Sequence, residues 1–255
     1  MKNIFTLLAL VILTANNYAQ KTIEAAEILK DIKAGKNINI SNATIKGVLD
    51  MTYMDDVLPT LPKRKRWWNK GGSNTVEKKI DSKISFVNCS FESDVLAYIP
   101  DEDSGYTFVS NFNSDVIFKN CTFEEKAMFK YSEFKSDADF RGCKFLEDNT
   151  FKYAVFNQNI SFENTKFAEP ATFKYAVFKT FVSFSNSIFE ESATFKYTEF
   201  KNGVSLNNVK FKEDLNIKYT KVNGDFDIQN MTVSYDIDSK YTEINGKSFN
   251  KYYQK

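Results

Sequence analysis

Phenylalanine recurs in this chain at alternating intervals of five and six residues through its middle and C-terminal parts. The series comprises Phe118, Phe123, Phe129, Phe134, Phe140, Phe145, Phe151, Phe156, Phe162, Phe167, Phe173, Phe178, Phe184, Phe189, Phe195 and Phe200. Neither a helix of 3.6 residues per turn nor a long strand of period two has this spacing. A short period that is sustained over so many units predicts a solenoid.

The strict repeat is 22 residues long, because the hexapeptide FKYAVF at Phe151 to Phe156 returns unchanged at Phe173 to Phe178. A small or apolar residue precedes each large apolar position by two, and residues i and i−2 of an extended segment share a face. Each unit is therefore predicted to be one very short strand that points two side chains inward and then reaches a corner. Four such units fill one repeat, so we expect coils that are roughly square.

One corner of each predicted coil has its own composition. Asn or Gly stands there in every coil, at Asn42, Asn88, Asn120, Gly142, Asn164, Asn186, Asn208 and Asn230. Both residue types tolerate a positive φ, which a type II turn requires at its third residue. The column is therefore interpreted as a backbone requirement and not as a ligand site.

The segment ADFRGCKFLE, Ala138 to Glu147, consists of two consecutive units that read small, polar, Leu or Phe, polar, polar. This pattern resembles the pentapeptide repeat family, from about Asn37 to Ile244, with an extra residue in alternate units that indicates a bulged corner. The resemblance implies an all-β solenoid, a right-handed quadrilateral β-helix, here of about eight 22-residue coils. It also implies a homodimer that forms through the C-terminal coil.

The ends of the chain and two breaks in the register divide it into predicted segments. Lys2, an apolar run from Ile4 to Leu13 and the small residue Ala19 are typical of a signal peptide over residues 1–19, with Ala15 as the alternative cleavage site. An amphipathic N-terminal capping helix is predicted over 20–36, the β-helix over 37–250 and a C-terminal tail over 251–255. Insertions interrupt the register at about 53–75 and 97–107. The expected location is outside the cytoplasm, in the periplasm, on the cell surface or beyond it, with no transmembrane segment after signal removal.

Three outward columns follow the same register. Tyrosines occupy the first, at Tyr131, Tyr153, Tyr175, Tyr197, Tyr219 and Tyr241. Lysines stand beside them at Lys130, Lys152, Lys174, Lys196 and Lys218, and glutamates one strand earlier at Glu125, Glu147, Glu169, Glu191 and Glu213. One interpretation is an exposed ladder that binds a glycan or an extended partner. The other, which we favour, is that stacked rings cover the corner while Glu offsets Lys.

Three cysteines and a group of aspartates are the candidates for a metal site. Cys89, Cys121 and Cys143 share one inward column, which Thr165 and Ser187 continue. Zinc or a disulfide is one interpretation, but small buried fillers explain the column better, so we expect reduced, metal-free thiols. Four outward aspartates near the C-terminal end, at Asp225, Asp227, Asp236 and Asp238, are interpreted as a solvated face in preference to a calcium site. No metal or cofactor is expected.

The two insertions hold the residues that the repeat itself does not explain. The first contains Lys63, Arg64, Lys65, Arg66, Trp67, Trp68 and Lys70, and the second contains Asp101, Glu102 and Asp103. Both leave the same corner in successive coils, so we expect them to meet. Exposed Trp beside a basic cluster suits an anionic surface, which makes this corner the candidate interaction patch; a solvated loop is the alternative.

Composition narrows the function. The chain has no His, and neither a nucleophile motif, a phosphate loop nor a metalloprotease motif is present. Without Lys2 it is formally neutral, which argues against a bulk nucleic-acid binder. The leading hypothesis is a non-catalytic, exported, rod-shaped scaffold of the bacterial cell envelope whose partner is an unknown protein or envelope component. A carbohydrate-binding or carbohydrate-active β-helix is the alternative, and a DNA-mimic topoisomerase inhibitor ranks last.

Overall fold

The structure, a computed structural model, describes residues 21–63 and 74–253. These residues form a right-handed β-helix whose coils have four faces, which confirms the predicted fold class. The predicted signal peptide lies outside the described residues, as do residues 64–73 of the first insertion.

Each face is a sheet of short strands that stack along the axis of the helix, numbered here in the order in which the chain visits them. Face 1 has eight strands: Ile38–Ser41, Ile84–Val87, Val116–Lys119, Ala138–Asp139, Ile160–Ser161, Val182–Ser183, Val204–Ser205 and Phe226–Asp227. Face 2 has nine: Lys21–Glu24, Ala43–Lys46, Ser90–Phe91, Thr122–Phe123, Lys144–Phe145, Lys166–Phe167, Ile188–Phe189, Lys210–Phe211 and Thr232–Val233.

The other two faces complete each coil. Face 3 has eight strands: Leu49–Asp50, Val95–Leu96, Ala127–Met128, Asn149–Thr150, Ala171–Thr172, Ala193–Thr194, Leu215–Asn216 and Ile237–Asp238. Face 4 has ten: Thr75–Ile80, Tyr98–Asp101, Tyr106–Phe112, Glu133–Phe134, Val155–Phe156, Val177–Phe178, Glu199–Phe200, Lys221–Val222, Glu243–Ile244 and Lys247–Ser248.

Parallel pairing in strict register places each residue over its equivalent in the next coil. Phe156 pairs with Phe178, and Val155 with Val177, which is a step of one repeat. The bonds continue around the corners, where the amide of Phe140 donates to the carbonyl of Ser161 at 2.9 Å. Because no coil can slip, every inward position of the sequence repeat becomes a continuous column.

Stacked phenylalanine rings fill the axis. Phe140, Phe162 and Phe184 lie directly above one another, with ring centroids 5.2 and 5.0 Å apart and planes within 6° of parallel. Rings of neighbouring columns meet edge to face, as Phe151 and Phe162 do at 5.1 Å and 79°. Both geometries are favourable for aromatic pairs. This confirms the predicted stacks and explains why the apolar residues of the repeat are so often Phe.

The predicted Asn column adopts the backbone conformation expected of it. Its asparagines have φ between 52° and 61°, and Gly142 has φ of 69°. Asn side chains also bond along the column, since Asn208 Nδ2 donates to Asn186 Oδ1 at 3.2 Å. A Cβ added to Gly142 would lie 2.1 Å from Asn120 Oδ1, so glycine there leaves room for the amide of the coil below.

The three thiols are buried and free, in the inward column that was predicted for them. Hydroxyls higher in the column donate to the carbonyl of the inward Phe one coil below, as Ser187 does to Phe162 at 2.6 Å. The thiols of Cys121 and Cys143 repeat this contact with the carbonyls of Phe86 and Phe118. A hydrogen bond to the next thiol in the column, followed by burial, raises the pKa of Cys89 well above its usual value. These cysteines therefore behave as small buried donors.

The N-terminal cap is part strand and part helix. Helix α1 spans Ala25–Lys33 and turns Ile28 and Ile32 into the core, and the chain reverses after it at Gly35, where φ is 74°. The helix begins later than the predicted residue 20, because Lys21–Glu24 pairs with Ala43–Lys46 and extends face 2 by one strand. No helix in the described part of the chain is long and apolar enough to cross a bilayer.

The C-terminal end is closed by the residues that follow the last coil. Lys247–Ser248 turns back to pair with Glu243–Ile244, and a 3-10 helix follows at Phe249–Lys251. Phe249 is buried, and the hydroxyl of Tyr252 donates to the carbonyl of Ile244 at 3.1 Å. Part of the segment predicted as a tail from 251 therefore belongs to a cap.

Replacing Phe162 by alanine should lower the free energy of unfolding by about 3–5 kcal/mol, because the stacked coils cannot collapse into the gap. Urea denaturation followed by far-ultraviolet circular dichroism measures the loss. Lys179→Ala, at an exposed position one face away, serves as the control and should change stability by less than about 0.5 kcal/mol. A loss near 1 kcal/mol for Phe162→Ala would mean that the column can close over the cavity.

Candidate functional site

Both insertions leave the β-helix at the corner between faces 3 and 4. The amide of Met51 donates to the carbonyl of Leu96, and that of Ala97 to Met128, so Met51, Ala97 and Phe129 are equivalent positions in successive coils. The next inward positions are Ile80, Phe112 and Phe134, which pair with one another on face 4. The first two coils thus carry extra chain between the same two inward positions.

The inserted segments form additional β-structure and are not simply loops. Thr75–Ile80 pairs in parallel with Tyr106–Phe112 over six residue pairs, from Thr75↔Thr107 to Ile80↔Phe112. Tyr98–Asp101 folds back against the same strand in antiparallel pairing. These three strands, called here the insertion platform, extend face 4 beyond the corner. Sequence periodicity did not reveal this pairing, because the two segments lack the repeat of the coils.

Polar contacts join the two insertions. The hydroxyl of Tyr106 donates to the carbonyl of Pro62 at 3.0 Å, and Asn74 Nδ2 donates to the carbonyl of Gly105 at 3.2 Å. Between them lies a groove of about 520 Å³, whose lining includes Lys63, Asp101 and Asp103. The two insertions therefore meet, and they bring opposite charges to one groove.

The candidate interaction patch is only partly within the described residues. Lys63 borders the groove, while Arg64, Lys65, Arg66, Trp67, Trp68 and Lys70 lie outside the described residues. Asp101, Glu102 and Asp103 occupy the hairpin turn of the second insertion, where the carboxylate of Asp101 accepts a bond from the amide of Ser104 at 3.3 Å. Lys63 forms no ion pair with these three carboxylates.

The predicted exposed ladder runs along the same corner, in the six coils that follow. We call it the Tyr edge: Tyr131, Tyr153, Tyr175, Tyr197, Tyr219 and Tyr241. Each of these tyrosines has φ between 59° and 64°, the left-handed conformation that this corner demands. Tyr53 holds the same position in the first coil, with φ of 54°, and helix α2, Met54–Val57, starts directly after it.

Ring stacking and lysine side chains cover this edge. Successive rings are nearly parallel, with centroids 4.6 to 4.9 Å apart. The lysine before each tyrosine places its ammonium 4.9 to 5.7 Å from the centroid of that ring. Both interactions are favourable and together offset the cost of a left-handed backbone at a residue with a large side chain.

The expectation that the Glu column offsets the Lys column is wrong. No ion pair in the described part of the chain involves Lys130, Lys152, Lys174, Lys196 or Lys218, or any glutamate of the predicted column. Glu125 and its equivalents turn at the corner between faces 2 and 3, whereas the lysines stand at the far end of face 3. The register forbids the columns from meeting.

Sequence reasoning missed that the platform and the Tyr edge share one corner. Tyr98 of the platform packs on Tyr131 at 5.8 Å, and Lys130 donates to its hydroxyl at 2.9 Å. Lys78 of the platform lies 4.9 Å from the ring centroid of Tyr53. The signal was present, since LDMTY at Leu49 to Tyr53 aligns with AMFKY at Ala127 to Tyr131.

Metal ligands do not gather among the described residues, where no group of three or more His, Cys, Asp or Glu has the arrangement of an ion site. Of the aspartates near the C-terminal end, Asp227 accepts bonds from the amide of Gln229, from Asn207 and from Ser205. The amide of Gln229 contributes most to lowering the pKa of this carboxyl. These protein donors hold Asp227 in place along face 1.

Comparison with known proteins agrees with this architecture. A family model described as pentapeptide repeats (nine copies) matches residues 129–177, 151–199 and 173–221. The matched ranges coincide with the regular coils that carry most of the Tyr edge. Neither the curated proteins nor the solved structures include a significant match to the chain.

Substitutions at Tyr175 should separate the backbone requirement from ring stacking. Tyr175→Phe retains both and should leave stability nearly unchanged. Tyr175→Asn loses two stacked contacts of about 0.5–1.5 kcal/mol each but keeps a residue suited to positive φ. Tyr175→Ala should cost about 1 kcal/mol more than Asn, because it loses that tolerance as well. Urea denaturation of the variants measures the order, and equal losses for Asn and Ala would refute the backbone argument.

Proposed function

Because the chain is a pentapeptide repeat protein, we propose that it is a non-catalytic, exported rod that serves as a scaffold in the bacterial cell envelope. On this proposal it binds its partner at the N-terminal end, through the corner where its two insertions meet. Proteins of this family are generally non-enzymatic, and the chain has no His to act as a general base near neutral pH.

The observation that carries the proposal is the insertion platform. A solenoid of regular coils has no need of extra chain to complete its core, and the described residues 54–63, 74–77 and 98–109 add no side chain to the stacked inward columns. The extra strands nevertheless pair with each other and are joined by the bond from Tyr106 to Pro62. Ordered insertions on a rigid scaffold are where proteins commonly place recognition residues.

The composition of the first insertion favours an anionic envelope component as the partner. The segment between Lys63 and Asn74 contains two Arg, two Lys and both Trp of the chain. Arg and Trp are enriched where proteins bind partners tightly, and basic residues favour anionic surfaces. Lys63, the residue directly before this segment, borders the groove beside the rigid strands.

Export is tested by expressing the full chain in a Gram-negative host and fractionating the cells. The proposal expects the protein in the periplasm or medium, with Gln20 as the N-terminal residue by intact mass, because residues 1–19 carry the features of a signal peptide. Replacing Leu8 and Leu10 by Arg should abolish export, since the apolar run would be broken. Full-length protein that stays in the cytoplasm would refute this part.

Binding by the first insertion is tested by co-sedimentation of the purified mature chain with envelope fractions. Arg64→Ala/Arg66→Ala/Trp67→Ala/Trp68→Ala should reduce binding at least about tenfold, and more strongly at low salt, because the exposed charges are then least screened. Lys135→Ala/Lys179→Ala is the control, at exposed positions on another corner. Substitution is preferable to deletion, because Pro62 and Asn74 hold the platform together. Equal binding by the two variants would place the recognition site elsewhere.

A further inference from the structure

The Tyr edge carries a row of lysines that form no ion pair within the described part of the chain. We propose that this row, Lys130, Lys152, Lys174, Lys196, Lys218 and Lys240, binds a linear acidic polysaccharide that bears one carboxylate on each sugar. The row adjoins the insertion platform only at Lys130, which donates to the hydroxyl of Tyr98, and binding by the row does not depend on export, so the proposal goes beyond the proposed function.

The spacing of the row is fixed by the fold. Each lysine is one coil from the next, and the backbone bonds at the edge repeat without change: the amide of Tyr153 donates to the carbonyl of Lys174, and that of Tyr175 to Lys196, both at 3.0 Å. Ring centroids 4.6 to 4.9 Å apart hold the tyrosines beneath the ammoniums in the same step. The cations therefore stand about 4.8 Å apart along a straight line. Because each sugar of an extended polyuronate is about as long as one coil step and successive carboxylates point to opposite sides of the sugar chain, the carboxylates on one side face every second lysine of the row.

The centre of the row has no charged neighbours on the adjoining strands. None of the six ammoniums is within ion-pair distance of a carboxylate of the described chain. Thr150 and Val155 stand on either side of Lys152, whereas Glu133 and Glu199 take the position of Val155 in two other coils of the row. Burial, followed by repulsion from Lys130 and Lys174, lowers the pKa of Lys152. Carboxylates of a bound ligand would relieve that repulsion.

The same stack decides which kind of glycan fits. Neutral sugars are usually bound by CH groups lying on open aromatic faces, but here the faces of adjacent rings are turned toward each other, with planes only 1° apart for Tyr153 and Tyr175. The groups that remain accessible to a ligand are ring edges, phenol hydroxyls and ammoniums. The hydroxyls and ammoniums donate hydrogen bonds to carboxylates and hydroxyls, so the edge favours an acidic sugar chain over a neutral one.

A nucleic acid fits the row less well. The phosphates of each strand of a DNA duplex wind around the helix axis, rising about 3.4 Å along that axis per nucleotide, whereas the lysines lie on one straight line. Single strands are usually held by bases that stack on open aromatic faces, and those faces are occupied here. The straight path of the row and the lack of open aromatic faces along this edge both favour the polysaccharide.

The proposal is tested with the purified mature chain and size-defined oligomannuronates by isothermal titration calorimetry at low salt. Affinity should rise from dimer to tetramer to hexamer and then level off, because a hexamer is about as long as the row of six lysines. It should fall steeply with added sodium chloride. Cellohexaose, a neutral chain of similar length, should not bind.

Matched variants separate the row from net charge. Lys152→Gln/Lys174→Gln/Lys196→Gln should weaken hexamer binding about tenfold, since each exposed ion pair contributes little by itself. Arg at the same three positions should retain it. Lys135→Gln/Lys179→Gln/Lys201→Gln removes the same charge from another corner and should change affinity less than about twofold. Circular dichroism confirms that all three variants remain folded.

Several outcomes would overturn the proposal. Equal losses of affinity in the two Gln triples would show that net charge alone attracts the ligand. An affinity that keeps rising beyond the hexamer would show that the binding site is longer than the row. Binding of cellohexaose would mean that ring faces do receive sugars. Tighter binding of single-stranded DNA, lost in the same triple, would assign the edge to nucleic acid. No measurable binding of the hexamer would also refute it.

Discussion

The hydrogen bonds that run from coil to coil determine most of what this molecule displays. They fix each residue over the one 22 positions away, as Phe156 over Phe178, and so turn every chemical choice in the repeat into a column. Inside, the result is a continuous aromatic core in which rings stack within columns and meet edge to face between them. Outside, the same rule places like charges on top of each other, which is a cost wherever the repeat carries Lys or Glu.

The corners, where the chain turns from one face to the next, link the buried columns to the exposed ones. At two corners a residue adopts positive φ in every regular coil: Asn, or Gly at position 142, at one corner and Tyr at the other. Asn suits this conformation through its short polar side chain, whereas Tyr has no intrinsic preference for it. At Tyr175 the compensation comes from neighbouring rings and from the ammonium of Lys174, 5.1 Å from the ring centroid. The Tyr edge is thus a structural solution that also leaves an ordered row of cations in solvent.

The sequence predicted those features that depend on register and missed those that depend on contacts between columns. The four faces, the eight coils, the Phe stacks and the positive φ of the Asn column all follow from counting residues. Counting did not reveal the pairing of Thr75–Ile80 with Tyr106–Phe112, because neither segment is periodic. Counting residues also did not show that the lysines contact Tyr rings and not the Glu column, since that depends on which end of face 3 each column occupies. The strand at Lys21–Glu24 escaped notice because a helical pattern follows it directly.

Insertions gather at the Tyr edge for a reason that lies in the core. Extra chain between Met51 and Ile80, or between Ala97 and Phe112, leaves both inward residues in their columns, so the stack continues without a gap. A long insertion at a corner costs only loop-closure entropy, which grows slowly with length. A single extra residue within a face would instead move the following side chains to the wrong side of the sheet. The corner with a left-handed residue is already a reversal of the chain, and at Tyr53 helix α2 starts from it. The rod therefore gains additional strands and a helix along one edge while its aromatic core remains intact.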